Sequence, residues 1–185
     1  EHTDEVLKEL GYSAQDIAEL FDAMGGEINA ATSRETTVVY TRIPDRRLEE
    51  ALDAMLDMVF APAFEDVDSE REVVLEQLAM VDDNPQELVH DLAAEAVFGN
   101  HPLGRPVIGR AEVIAGVSPR ALRSYHGGAY VGPNIVLSAA GHVSHDRLVE
   151  LFAARRARST GASSLRRPLL GRAPRPGYRF LRRKT

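Results

Sequence analysis

The residues with the most chemical promise lie in an acidic string at positions 69–77, Ser-Glu-Arg-Glu-Val-Val-Leu-Glu-Gln. Glu70 and Gln77 are separated by about two helical turns, so on a helix both side chains share one face. A carboxylate delivered from such a helix would complete a three-donor catalytic zinc site whose fourth position stays open for water. Residue 77, however, is a glutamine, and its neutral carbonyl oxygen is a poor zinc ligand beside a carboxylate. Glu76 does not replace it, because it sits about 100° around the helix. The same string also reads as a solvated helix face carrying Glu70, Glu72 and Glu76.

Glu1-His2 is a second candidate. In an inverted zinc motif, His-x-x-Glu-His, two histidines four apart hold the metal, and the glutamate between them takes a proton from the bound water. Only the last two letters stand here, and the pair equally suits two ordinary polar residues at a terminus. His90, His101, His126, His142 and His145 have no metal spacing with one another and read as surface or core polar groups. No glycine-rich phosphate loop and no Gly-x-Ser-x-Gly nucleophile turn is present.

Local signals outline the elements that must position these residues. Ser13 with Asp16 forms a capping pair before apolar residues at Ile17, Leu20, Phe21 and Met24, a helical period. Gly25-Gly26 stops that helix. Residues 27–32 and 36–43 read as strands joined by a turn at 33–35, an antiparallel hairpin. Asp45 is expected to cap a helix to about Val59, and a second helix should span 66–81. Asn84-Pro85 pairs a cap with a proline at the first helical position, for a helix to Phe98. Residues 101–106 read as loop, 110–116 as a short helix, and Ser118-Pro119 as the start of a helix ending near Gly127-Gly128. Residues 134–141 read as a buried strand, Ser144 as the cap of a last helix to about Ala157, and 177–182 as a short strand. Strands mixed with many helices predict an α+β fold, a mixed and mostly antiparallel sheet packed against several helices.

The 185 residues suit one ordinary domain, with 44% apolar and 27% charged residues. The absence of cysteine excludes disulfides, thiol nucleophiles and Cys-bound zinc, and accords with the cytoplasm. No apolar run reaches the roughly 18 residues of a bilayer span, so no membrane partner is expected. The net charge of −6 divides into −17 over residues 1–154 and +11 over 155–185. The basic stretch carries glycine, serine and proline, a linker-like mixture. Only Tyr178 and Phe180 interleave it with aromatics, so no nucleic-acid partner is expected.

In order along the chain stand Ala-Gln-Asp-Ile-Ala-Glu at 14–19, Met-Gly-Gly-Glu-Ile-Asn-Ala at 24–30, the string at 69–77 and Asp-Asp-Asn-Pro at 82–85. His-Pro-Leu-Gly-Arg-Pro-Val-Ile-Gly at 101–109 and Gly-Pro-Asn-Ile-Val-Leu-Ser-Ala-Ala-Gly-His-Val at 132–143 follow. With these motifs the chain resembles the inverzincin peptidases related to pitrilysin, insulin-degrading enzyme and mitochondrial processing peptidase. The likeness is greatest to their bacterial processing-peptidase-like members. The resemblance implies a metallopeptidase-like domain over residues 1–157, shortened at its N-terminus, and a basic linker over 158–185 leading to a missing second domain. It implies zinc as cofactor and a peptide or unfolded polypeptide as substrate. A second homologous domain or subunit would close the chamber. Carried over residue by residue, Glu1 falls at the catalytic base, His2 at a metal-binding histidine and Gln77 at the third ligand. Glu70 matches a carboxylate near the site, and Asn29, Ala30, Ala31 and Thr32 match the edge on which substrate binds as an added strand. The resemblance therefore implies a zinc metalloendopeptidase-family domain that is inactive as this chain. The alternative is a non-catalytic peptide-binding partner subunit. Residues 1–13, with Glu-His-Thr-Asp-Glu-Val-Leu and Leu-Gly-Tyr-Ser, also resemble the end of family III CoA-transferases, which would give Glu1 and His2 a different origin.

Overall fold

A computed structural model describes residues 14–64, 66–156, 162, 163 and 165. The predicted strand at 177–182 lies outside them. The first helix, α1 (Ala14–Ala23), turns Ile17 and Phe21 inward and ends where the sequence places its stop. Gly25 takes a φ of +76°, the left-handed region that spares glycine a side-chain penalty. The amides of Gly25 and Gly26 donate back to Asp22 O and Phe21 O at 2.8 and 2.9 Å, so the last turn is closed. Gly26 then passes so near the backbone at Arg42 that a Cβ there would lie 2.4 Å from Arg42 O.

The strands β1 (Glu27–Thr32) and β2 (Thr37–Arg42) form a two-stranded sheet. Ile28 and Ala30 of β1 are buried, whereas Glu27 and Ala31 face out and Asn29 is half-buried. That alternation is the period of a strand with one covered face. The covering is a cluster of Ile17 and Phe21 from α1 and Met24 just after it, with Ala51 and Met58 from α2 (Leu48–Phe60). The opposite side of α2 places Leu52 and Leu56 against Leu151, Leu148 and Phe152 of α7 (His145–Arg156). Between them in sequence lie α3 (Val67–Asp83), α4 (Pro85–Phe98), α5 (Ala111–Gly116) and α6 (Pro119–Ala129). The described architecture is thus α+β, mostly helical around a small antiparallel sheet.

Contacts divide the described chain into two compact units. One holds residues up to 31, 37–70 and 117–165; the other holds 32–36 and 71–116. In the first, both apolar clusters form the core. In the second, α4 is capped as predicted: Asn84 Oδ1 accepts from the Gln86 amide at 3.1 Å, with Pro85 at the first helical position. Gly104, in a 3₁₀ turn at Pro102–Gly104, lies so near α4 that an added Cβ would meet Gly99 O at 2.5 Å. The predicted loop at 101–106 therefore contains a helical turn, nucleated by His101 Nδ1, which accepts from the Leu103 amide at 3.2 Å.

Two expectations fail, and both fail for physical reasons. Asp45 does not cap α2. It opens a 3₁₀ turn at Asp45–Arg47, its Oδ1 accepts from the adjacent Arg46 amide, and Arg47 occupies the position before α2 with no side-chain cap. Residues 134–141 do not form a buried strand. Gly132–Asn134 is a 3₁₀ turn, 135–140 carry no regular structure, and Val136 is 92% exposed. Ile135 has the extended dihedrals its β-branched side chain favours. A strand also needs a partner to bond with, and the described sheet contains only β1 and β2.

Phe21 is fully buried, so Phe21→Ala should cost about 3–5 kcal/mol in urea denaturation. Val136→Ala should stay within about 0.5 kcal/mol of the parent chain, as an exposed substitution does. A large loss at Val136 would contradict its exposed placement.

Candidate functional site

The predicted substrate edge is a real strand. Asn29, Ala30, Ala31 and Thr32 occupy the second half of β1, which pairs with β2 on one side within the described sheet. Ala30 is fully buried, so its side chain is spent on the core and only its backbone is available for pairing. Ala31 projects to the outer face with a minimal side chain, and half-buried Asn29 lies on that same face. The strand begins with Thr41 Oγ1 donating to Glu27 O at 2.7 Å.

Glu70 and Gln77 both lie on α3, as the acidic string predicts. Glu70 is half-buried, one turn in from the start of the helix. Gln77 Oε1 is shielded from solvent and has no hydrogen-bond partner among the described residues. Leaving a carbonyl oxygen desolvated and unpaired costs about 1–3 kcal/mol. Glu72 and Glu76 are exposed, as a solvated face requires. Glu1 and His2, expected at the base and at a metal position, lie outside the described residues. Among the described residues no three His, Cys, Asp or Glu side chains gather as a metal would need.

Two further histidines make contacts between distant segments. His126 Nε2 donates to Val59 O at 2.9 Å, and its ring stacks on Tyr130 with centroids 4.6 Å apart. Its edge meets Phe64 at 5.6 Å, tying α6 to the end of α2. His142 Nδ1 lies 2.5 Å from Asp45 Oδ2. That contact, with the Arg46 amide second, holds the Asp45 carboxyl below its ordinary pKa.

Sequence reading missed one constellation, at the hairpin tip. Arg34 bonds Leu103 O at 3.1 Å and Asp91 Oδ1 at 2.8 Å, and it also bonds Arg105 O. The signal was an arginine in a turn that needs none, followed 57 residues later by an aspartate on an amphipathic helix. Nothing in local spacing joins the two.

With this geometry in place, the comparisons are specific. Residues 7–111 match the model of the insulinase family, peptidase family M16. The chain belongs to that family. It is 43% identical over 141 residues to an uncharacterized zinc protease of Mycobacterium leprae, covering 75% of this chain and 32% of that one. It shares its fold with the peptidase M16 inactive domain from Pseudomonas fluorescens, with a TM-score of 0.80, 20% identity, and coverage of 92% of this chain and 43% of that chain. The first half of the periplasmic protease PqqL from Escherichia coli gives a TM-score of 0.72 at 20% identity, covering 91% of this chain and 39% of that chain. The chain spans about a third of the length of the curated relatives it matches. The family match starts within residues 1–13 and lends the CoA-transferase likeness no support. No described helix is long and apolar enough to cross a membrane.

Two measurements follow. Gln77→Leu removes the unpaired oxygen and should raise stability by roughly 1 kcal/mol in urea denaturation; a loss instead would mean that Oε1 has a partner in solution. Asp45 has a depressed folded-state pKa, so its stabilisation is present above the ordinary carboxylate range and is lost as pH falls through the folded value. An NMR titration should place the Asp45 midpoint below the ordinary aspartate value, and His142→Ala should move it up. An unmoved midpoint would show that the pair is not formed.

Proposed function

We propose that this chain holds an extended peptide as an added strand on the outer edge of β1 and does not itself hydrolyse it. It would be the non-catalytic, peptide-binding part of a larger zinc-protease-family protein or complex. The observation that carries this reading is Gln77. The resemblance implies a metal-binding carboxylate at this position, whereas the residue is an amide whose oxygen is buried and, among the described residues, unpaired. An uncharged oxygen on α3 does not fit a zinc site built on two histidines and a carboxylate. Glu70 keeps its charge but stands two turns away along the helix. The chain's own contribution therefore stops at binding. The solved neighbour described as an inactive domain supports the same reading.

The edge suits the role. Backbone pairing to an added strand supplies affinity with little demand on peptide sequence, while pockets on alternate positions supply what specificity there is. Asn29 and Ala31 are the side chains of β1 on the face that the core does not use, and Ala30 fixes the strand from behind. A partner that completes the chamber, either a second homologous domain or a separate subunit, is supported by the one-third coverage of the relatives. Residues 158–185 would link to it as a basic, proline-bearing segment. A cytoplasmic setting is supported by the cysteine-free composition.

The test is a paired assay on this chain. A labelled unstructured peptide should bind saturably in the presence of a chelator, and added zinc should produce no cleavage. Chelator-sensitive turnover would overturn the proposal.

A further inference from the structure

We propose that Arg34 is a positioning residue for the peptide-binding edge, clamping the hairpin tip so that β1 keeps a straight, unfrayed edge. The inference rests on the peptide-binding reading of β1 given above. The tip is locally closed first. The Ser33 amide donates to Thr36 O at 2.7 Å, and the Ser33 hydroxyl accepts from the Thr36 amide at 3.1 Å and bonds the Thr36 hydroxyl at 2.9 Å. A turn held this way projects Arg34 in one direction. Its guanidinium then spends one nitrogen on the Leu103 and Arg105 carbonyls and the other on Asp91.

The three acceptors come from two pieces that hold each other. Asp91 is on α4. Leu103 and Arg105 flank Gly104, whose lack of a side chain lets the 3₁₀ turn press on the end of α4. Residues 32–36 accordingly cluster with 71–116 and not with the strands they join. Only a planar fork with several fixed N–H donors reaches two carbonyls and a carboxylate at once; an ammonium is a point charge. Arg34 and Asp91 side chains are 25% and 27% exposed, which makes the pair less screened than a surface ion pair.

The consequence concerns binding. A two-stranded hairpin is marginal alone and frays from its ends. An incoming peptide must find β1 already extended, or part of its affinity goes to ordering the strand. Fixing the tip by a side chain that touches no peptide removes that cost. Core contacts at Ile28 and Ala30 hold the strand's face, and Arg34 holds its end.

The experiment measures peptide affinity and deuterium uptake for the parent chain, Arg34→Ala, Arg34→Lys and Asp91→Ala, with a fluorescein-labelled unstructured peptide as probe. Arg34→Ala should weaken binding by about tenfold and speed exchange at residues 27–32, while exchange in α1 stays as in the parent. Arg34→Lys should weaken binding nearly as much, and Asp91→Ala by a smaller factor. If the parent binds and all three variants bind equally well, the positioning role is wrong while the peptide-binding edge stands. If the parent does not bind, the function proposed above fails and this inference with it. If Arg34→Ala proves unfolded, Asp91→Ala decides alone: parent-like affinity overturns the role, and weakened affinity with an unchanged α1 supports it.

Discussion

Burial of one face of β1 is the constraint on which the rest depends. Two strands do not hold together in water by themselves, and here the sheet is stabilised because Ile28 and Ala30 sit on Ile17 and Phe21 of α1 and on Met24 just after it. Because strand side chains alternate, that single commitment sends Glu27, Asn29 and Ala31 the other way. Gly25 and Gly26 make it possible, one by turning left-handed and the other by letting the chain pass close to Arg42 O. The same α2 that completes this cluster packs its other side on α7, where Arg147 bridges Glu49 and Glu150 at 2.7 and 2.8 Å.

Chemistry on α3 is governed by a different balance. A helix rich in glutamate can leave most of its carboxylates in water, as Glu72 and Glu76 do. Gln77 instead hides its oxygen without a partner among the described residues, a state that a charged glutamate would not tolerate without a cation or a donor. A neutral amide makes the burial survivable at modest cost. An amide at this one position is compatible with the fold, and on the proposed reading it also withdraws a ligand.

Much of the fold was legible because its signals are local. Gly25-Gly26, Asn84-Pro85 and Ser118-Pro119 each act through hydrogen bonds spanning two to five residues, and each boundary falls where those residues place it. Strand 134–141 was misread because β-branched composition reports a preference for extended backbone, not the presence of a partner. Asp45 was misread because a 3₁₀ turn intervenes, so that Arg47 stands before α2 and the Asp45 carboxylate meets the Arg46 amide and His142, 97 positions away. The site divides in the same way. The β1 edge and the shared helix of Glu70 and Gln77 could be read from period and spacing. The buried state of Gln77 Oε1 and the Arg34 clamp depend on packing between distant segments and could not.

The most direct test of a peptide added to β1 is residue-resolved amide exchange with and without bound peptide. The account predicts new protection at those β1 amides that β2 does not engage, centred on 29–32, with the β2 amides unchanged. Protection that appeared elsewhere and left β1 untouched would contradict it.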